Sequence, residues 1–500
     1  MWAAVCFTEV GGWVLGAPGR SAFTRVAIDG HAPRSPCRQR ARRRARLVLA
    51  AADATNLAQK SLSVLVVGSG GREHALVRAV KKSPFLKDLY AAPGNPGIEA
   101  DGATLCADVG AEDVDALVAC AKEKQVDFVI VGPEVALVKG LVDRLLDERI
   151  VAFGPTQAAA VLEGSKVFTK EFMVRHSIPT AWYAKFDGAD AAAAAKQFVR
   201  EKGLPIVIKA DGLAAGKGVI LAHTVEQADA AIDDILVKQV FGDAGSSMVI
   251  EEFLFGEEAS FFAILDGENA VALASAQDHK ARDDGDKGPN TGGMGAYSPA
   301  PVLTAEMQAA VMTDVVLPTA RGMVKEGRSF RGVLFVGLMI TSEGPKVLEY
   351  NVRFGDPECQ VLCSRIQSDM LQLLYAASTG KLKEVGDIIW EPYKALVVVM
   401  ATKGYPGSYT KGSKISGLHA VDKMDKVKVF HAGTARNSDG AIVANGGRVL
   451  GVTALGNSTF EAQQRAYAAV DAIDWSEGFC RRDIGWRAVK REEEEKAVPQ

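Results

Sequence analysis

Lysine and glycine recur through residues 209–220, KADGLAAGKGVI, in a pattern suited to gripping polyphosphate. The preceding stretch, LPIVIKA at 204–210, is β-branched and apolar, so it reads as a buried strand that carries Lys209 to its end. Gly212, Gly216 and Gly218 let the backbone turn tightly and bring N–H groups close to an anion. Lys209 and Lys217 supply point charges. The spacing is not that of a Walker A loop: Gly212 lies one residue too close to Gly216, and Gly218 follows Lys217 where Ser or Thr is needed. Strand, glycine flap and strand predict a lid over a nucleotide. Taken alone, the same residues read equally well as a glycine-rich hairpin with solvated lysines.

Further residue types point to a divalent cation and a carboxylate. In KVLEYN, 346–351, Glu349 and Asn351 stand two apart on a strand and so share one face. Their oxygens suit Mg2+, which usually completes its octahedron with phosphate and water. RFGDPE, 353–358, puts Arg353 beside that face, where a guanidinium can hold a carboxylate bidentately, and adds Asp356 and Glu358. An Arg–Asp pair stabilising a turn is the plainer alternative. Strand 334–340 offers no acid for a second metal. VIEEFLFGEEASF, 249–261, places Glu251, Glu252, Leu254 and Glu258 at a hinge. An edge strand there can receive an adenine amino group through its backbone and a ribose through a carboxylate. Ser165 can cap a helix over 166–176 that carries Lys166 and Lys170 on one face. Residues 276–301, AQDHKARDDGDKGPNTGGMGAYSPAP, read as a long loop, and such loops are usually functional. Asp278, Lys280, Asn290, Thr291, Gly292 and Gly293 can wrap a polar substrate, with disorder as the bland alternative.

The elements that must position these residues begin at residue 61. SLSVLVV, 61–67, is a buried-strand pattern running through Gly68, Gly70, Gly71, Arg72 and Glu73 into a helix, a turn that brings a phosphate to a helix N-terminus. A nicotinamide fingerprint requires glycine where Glu73 stands, and the next strand lacks a terminal acid, so a smaller sugar phosphate suits the turn better than a dinucleotide. Arg72 and Glu73 could instead pair at the surface. APGNPG at 92–97, with Asn95, and the turn Gly132, Pro133, Glu134 end two further strands. Strand–helix alternation to residue 153 describes an open parallel sheet, whose ligands lie at the carboxyl ends of its strands. After about residue 388 the chain reads as a small mixed domain, with strands at 395–401, 427–432 and 448–453 and a helix over 459–474.

Composition sets the outer bounds. Five hundred residues, 48% hydrophobic and 24% charged, describe an ordinary globular chain of about three domains. The apolar runs are too short to cross a bilayer, and no basic block interleaved with aromatics suggests nucleic acid. The seven cysteines show no CxxC or zinc spacing and fit reduced thiols. Residues 1–60 differ in kind: nine arginines, one lysine and three acids, an organellar transit-peptide composition. Plastid and mitochondrion both remain open, with few hydroxylated residues weighing slightly against a plastid. Without this leader the net charge falls from −3 to about −10.

Lysine helix, glycine flap, EEFL hinge and Glu-x-Asn strand, in that order, resemble the ATP-grasp superfamily. GSGGREHAL, APGNPG, IVGPE, LEGSKVFTK, IVIKADGLAAGKGV, VIEEFLFGEEASF, AQDHK, GPNTGGMGAYSPAP, EYNVRFGDPE, GGRVLGVTALG and DIGWRA together resemble the phosphoribosylamine–glycine ligases, over about residues 61–490. The resemblance implies an α/β chain. Between the leader at 1–60, a transit peptide by composition, and an acidic tail at 491–500, the resemblance implies an N-terminal open parallel sheet (pre-ATP-grasp) domain over 61–163 binding 5-phosphoribosylamine, an ATP-grasp domain over 164–388 with a mobile lid at about 182–248, and a small mixed C-terminal domain over 389–490. It implies ATP, Mg2+ or Mn2+, glycine and 5-phosphoribosylamine as ligands, no nucleic acid or membrane, and transient contact with neighbouring purine-pathway enzymes. The roles it implies are Lys166, Lys209 and the Gly212–Gly218 flap (Gly216 and Lys217 included) on phosphate, Glu251, Glu252 and Leu254 at adenine, and Glu258 at ribose. Glu349 and Asn351 would hold the metal. Arg353, Asp278 and Asn290 to Gly293 would orient glycine, with Asp356 nearby, while Gly70, Gly71, Arg72, Asn95, Gly132, Pro133 and Glu134 hold the sugar phosphate. Other readings are an ATP-grasp ligase or carboxylase using bicarbonate or formate, a nicotinamide oxidoreductase, and a non-catalytic nucleotide-binding protein.

Overall fold

The β-branched runs between residues 62 and 153 form a five-stranded, wholly parallel sheet. Its strands lie in the order Thr104–Leu105, Leu86–Pro93, Leu62–Gly68, Phe128–Val131, Val151–Phe153. The order reverses beside Leu62–Gly68, and ligands of such sheets sit at that switch point. This is a computed structural model, and it describes residues 61–212 and 218–497. The arginine-rich leader lies outside the described residues, as do Gly216 and Lys217 of the flap.

Two antiparallel sheets follow. The first joins Tyr183–Asp187, Ser247–Glu252, Ile206–Ala210 and Val219–Ala222, in that order. With helices Ala192–Lys202 and Val225–Ile232 it closes a core of its own around Val199, Ile206, Ile208, Ile232 and Ile250. A small unit with a private core is what a separately moving lid requires. The hinge strand Ser247–Glu252 is interior to this sheet, which corrects the edge placement expected from sequence: it pairs on both sides, and the chain leaves the sheet only after Glu252. The second sheet runs Ala270–Ala272, Glu257–Asp266, Arg331–Thr341, Gly344–Asn351. A bulge between the pairs Gly337–Glu349 and Leu338–Val347 leaves Leu348 without a partner opposite.

Residues 276–301 are not a structureless loop. They contain the hairpin Ala281–Asp283/Lys287–Asn290 and two strands, Gln277–Asp278 and Gly295–Ser298. Gly295–Ser298 pairs with Lys394–Thr402, so the segment is built into the C-terminal sheet alongside Arg448–Gly456 and Val427–His431. A four-residue strand such as GAYS carries no periodicity of its own, and its partner Lys394–Thr402 is about a hundred residues away. The acidic tail also differs from expectation. Residues 492–495 belong to the helix Trp486–Ala497, and Glu492 accepts the N–H groups of Thr459 (2.7 Å) and Phe460 (3.2 Å) at the start of helix Thr459–Asp471. A carboxylate there satisfies free donors and complements the helix dipole.

The parallel sheet meets the C-terminal sheet through a buried histidine. The His431 N–H can only donate, so it fixes His74 Nδ1 as its acceptor at 2.8 Å and leaves His74 Nε2 to donate to Asp101 Oδ2 at 3.0 Å. Lys428 lies 3.2 Å from the other Asp101 oxygen. Burial lowers both histidines despite Asp101, His431 to about 3. Their folded values lie below the ordinary 6.5, so the unfolded chain takes up protons first as pH falls. Stability is therefore full above pH 6.5 and declines toward pH 3. Urea midpoints measured across that window should fall with pH, and His431→Gln should flatten part of the slope.

Candidate active site

Between the lid and the second sheet two lysines share one carboxylate. Lys209 closes the strand Ile206–Ala210, and its Nζ donates to Glu251 Oε2 at 3.0 Å and to the Leu348 carbonyl, freed by the bulge, at 3.2 Å. Lys170, one turn past Lys166 on helix Lys166–Arg175, lies 2.8 Å from the same Glu251 oxygen and donates to Thr180 Oγ1 at 2.8 Å. Thr180 in turn donates to the Val347 carbonyl at 2.6 Å. All three charged side chains are buried. Burial acts to raise the Glu251 carboxyl, but Lys209 and Lys170 outweigh it and hold it below its usual range. Burial lowers the Lys170 ammonium to about 8, with Glu251 opposing and Lys209 assisting. Glu251 Oε1 is buried with no partner, a free acceptor at the lid junction. Lys170 entered the sequence argument only through its i, i+4 spacing from Lys166.

The flap is tied to the lysine helix at its root. Asp211 accepts Val167 N–H at 3.1 Å and the Ser165 hydroxyl at 3.2 Å, while Ser165 Oγ accepts Phe168 N–H at 3.1 Å. Lys166 Nζ donates to the carbonyl of Gly212, whose φ of +85° favours glycine. Burial lowers the Lys166 ammonium as well.

Glu349 faces Gly337 across the second sheet, where an added Cβ would come within 3.2 Å of Glu349 Cγ. Asn351 follows on the same face and is buried. Glu258 belongs to the strand beyond, opposite Met339. Lys280 gathers acids here, 2.9 Å from Asp278 and 3.5 Å from Glu258. Glu358, buried and accepting from Ser260 Oγ at 3.1 Å, has its carboxyl pushed up to about 7 by burial and by Asp278. Among the described residues no three His, Cys, Asp or Glu side chains form a ready metal cage. Glu349 and Asn351 offer one carboxylate and one amide oxygen on one face, the hard-oxygen donors that Mg2+ takes alongside phosphate and water.

The turns of the parallel sheet lie next to RFGDPE. Glu73 folds back over the strand ends, accepting Gly70 N–H at 2.7 Å and Arg72 Nε–H at 2.5 Å. A Cβ on Gly68 or Gly132 would strike the Glu73 side chain. The Arg72–Glu73 pair is thus buried rather than superficial, and Arg72 also donates to the Phe354 carbonyl at 3.2 Å. Gly132 N–H donates to Val67 O, and Pro133 leads into the short helix Glu134–Val138.

Arg353 differs from expectation in not being a free cation. Its Nη2 lies 2.9 Å from Glu163, its Nε donates to Glu134 at 3.2 Å, and its Nη1 donates to Phe354 O at 3.3 Å. Glu163, which the motifs did not single out, also accepts Val352 N–H at 2.8 Å, and burial raises its carboxyl. Asn95 is likewise fully engaged. Its amide donates to Ser69 O and His431 O, and its oxygen accepts Gly97 and Ile98 N–H, so it shapes the turn and presents no free group. Asp356 does not pair with Arg353. Gln360 donates to it at 2.8 Å, and Arg448 of the C-terminal sheet lies 3.4 Å away. Thr291 Oγ1 donates to Lys280 O and accepts Gly293 N–H, while Asn290 is exposed at the end of its hairpin.

Comparison with known proteins gives matching results along the chain. A family described as phosphoribosylglycinamide synthetase matches in three parts: the N domain over residues 62–163, the ATP-grasp (A) domain over 164–359 and the C domain over 395–487. The phosphoribosylamine–glycine ligase of Agrobacterium fabrum is 57% identical over 431 residues, 86% of this chain and all of that protein. The chloroplastic phosphoribosylamine–glycine ligase of Arabidopsis thaliana is 54% identical over 455 residues, 87% of this chain and 85% of its own length. The crystal structure of the Thermotoga maritima phosphoribosylamine–glycine ligase aligns with TM-score 0.74 at 32% identity, covering 85% of this chain and all of that one.

Removing Glu251 leaves two buried ammoniums without a counter-charge, whereas removing Lys170 leaves one paired lysine. Glu251→Ala should cost about 3–5 kcal/mol in urea unfolding. Lys170→Met should cost less, about 1–3 kcal/mol.

Proposed function

The chain belongs to the phosphoribosylglycinamide synthetase family, and on that premise we infer that it is an ATP-dependent ligase joining glycine to 5-phosphoribosylamine. The products are glycinamide ribonucleotide, ADP and phosphate, within purine biosynthesis. The reaction runs in two steps. The glycine carboxylate attacks the γ-phosphorus of ATP, giving glycyl phosphate and ADP. The amine of phosphoribosylamine then attacks the acyl carbon and expels phosphate. No protein nucleophile is required. The chain contributes position, charge neutralisation and exclusion of water from a labile acyl phosphate.

The observation that carries this reading is the junction at Arg353. It links the Gly132–Glu134 turn of the parallel sheet to Glu163, and Arg353 follows directly on the Glu349–Asn351 strand, so acceptor turns and nucleotide lysines border one another. Lys166 and Lys209 neutralise phosphate, and Gly216, Lys217 and Gly218 of the flap sequence bind it as well. The backbone from Glu252 to Leu254 takes adenine, with Glu251 Oε1 accepting from the amino group, and Glu258 takes the ribose. Glu349 and Asn351 hold Mg2+ or Mn2+, which offsets phosphate charge when bound. Arg353 orients the glycine carboxylate by exchanging its longer, more exposed contact with Glu134, and Asp278 and the Asn290–Gly293 turn flank it. Gly70, Gly71 and Arg72 with Gly132, Pro133 and Glu134 hold the sugar phosphate. The chloroplastic Arabidopsis relative and the arginine-rich composition of residues 1–60 support import into a plastid.

ADP release should require glycine and freshly made phosphoribosylamine together, with glycinamide ribonucleotide identified by mass spectrometry. Release that ignores glycine would overturn the reading. Glu349→Ala should abolish turnover while circular dichroism and the unfolding midpoint stay unchanged, and normal turnover in that variant would remove Glu349 from the metal site.

A further inference from the structure

Arg448 opens the strand Arg448–Gly456, and its guanidinium reaches into the acceptor half of the site. Nη1 donates to the carbonyls of Gly292 (2.5 Å), Asp356 (2.6 Å) and Gly293 (3.3 Å), and Nη2 lies 3.4 Å from Asp356 Oδ2. Tyr405, just past strand Lys394–Thr402, accepts the Gly292 N–H at 3.2 Å. Both backbone groups of Gly292 are therefore held by C-terminal residues. A Cβ on Gly292 would lie 3.1 Å from Arg448 Cζ, so a side chain there would press on the guanidinium. Asp356, oriented by Gln360, would itself lie 3.2 Å from a Cβ on Gly70 at the first phosphate turn. Nη1 serves the loop carbonyls while Nη2 reaches the Asp356 carboxylate, so two nitrogens of one planar group hold the loop and the acid together, which an ammonium does only in part.

We propose that Arg448 and Tyr405 are positioning residues for the acceptor half of the ligation. They set the Gly292–Gly293 loop and Asp356 against the Gly70–Arg72 turn, so the C-terminal sheet completes the place where glycine and phosphoribosylamine meet. The nucleotide cleft around Glu251 is independent of them. This rests on the ligase reading, which turnover by the unaltered enzyme tests separately.

The test is steady-state kinetics of the full chain with each substrate varied in turn, together with direct Mg-ATP binding. Arg448→Ala should raise KM for glycine and phosphoribosylamine about tenfold or more while the Kd for Mg-ATP stays within about twofold. Arg448→Lys should recover part of the loss, and added guanidinium should partly rescue Arg448→Ala. Tyr405→Phe, which removes one oxygen and keeps the ring, should shift the same two KM values in the same direction by a few-fold. Acceptor KM values unchanged in Tyr405→Phe, or Mg-ATP affinity lost in parallel with them in Arg448→Ala, would overturn the proposal.

Discussion

Arg353 sits between Glu134 and Glu163 in a half-buried junction, and that pairing constrains everything around it. A buried guanidinium is tolerated only when its N–H groups are matched, and losing one carboxylate leaves charge stranded. The three residues come from a turn of the parallel sheet, the approach to the lysine helix and the end of the Glu-x-Asn strand. Meeting the demands of one guanidinium therefore fixes the register of three chain segments. Arg72 extends the constraint by donating to Phe354 O, and Glu163 does so by accepting Val352 N–H. RFGDPE serves as the seam between the turns of the parallel sheet and the Glu349–Asn351 strand.

The second buried charge group works differently. Lys170, Lys209 and Glu251 carry one net positive charge in a dry place, with one carboxylate oxygen unmatched. Such a group is poor as a source of stability, because desolvation offsets most of the Coulomb gain. Its surplus positive charge and free carboxylate oxygen leave it able to take an anion and an N–H donor. The lid contributes Lys209 and Glu251, whereas Lys170 and Leu348 O lie outside it. The Lys209–Glu251 pair is therefore internal to a sheet with its own core, and Lys170 and Leu348 O join it from outside.

Glu73 shows why a strand–glycine–helix turn need not bind a dinucleotide. Its carboxylate satisfies Gly70 N–H and Arg72 across the strand ends, over the glycines at 68 and 132. Those glycines make room for a side chain of the protein itself. A pyrophosphate at the same place would compete with that carboxylate for the Gly70 N–H and Arg72.

The amino-acid sequence by itself determined the parallel sheet, the flap strand, the lysine helix with its Ser165 cap, and the Glu349/Asn351 face. Each of these is local, written in runs of β-branched residues, in i, i+2 or i, i+4 spacing, or in a capping residue. Tertiary structure alone decided the partners. Arg353 finds Glu163 and not Asp356, Asn95 turns inward to the backbone, Lys170 joins Lys209 on Glu251, and Gly295–Ser298 pairs with a strand a hundred residues on. These contacts bring together residues far apart in the chain, and what selects them is the cost of leaving buried charges and backbone groups unmatched. That cost is a property of the folded interior, and no short stretch of sequence contains it.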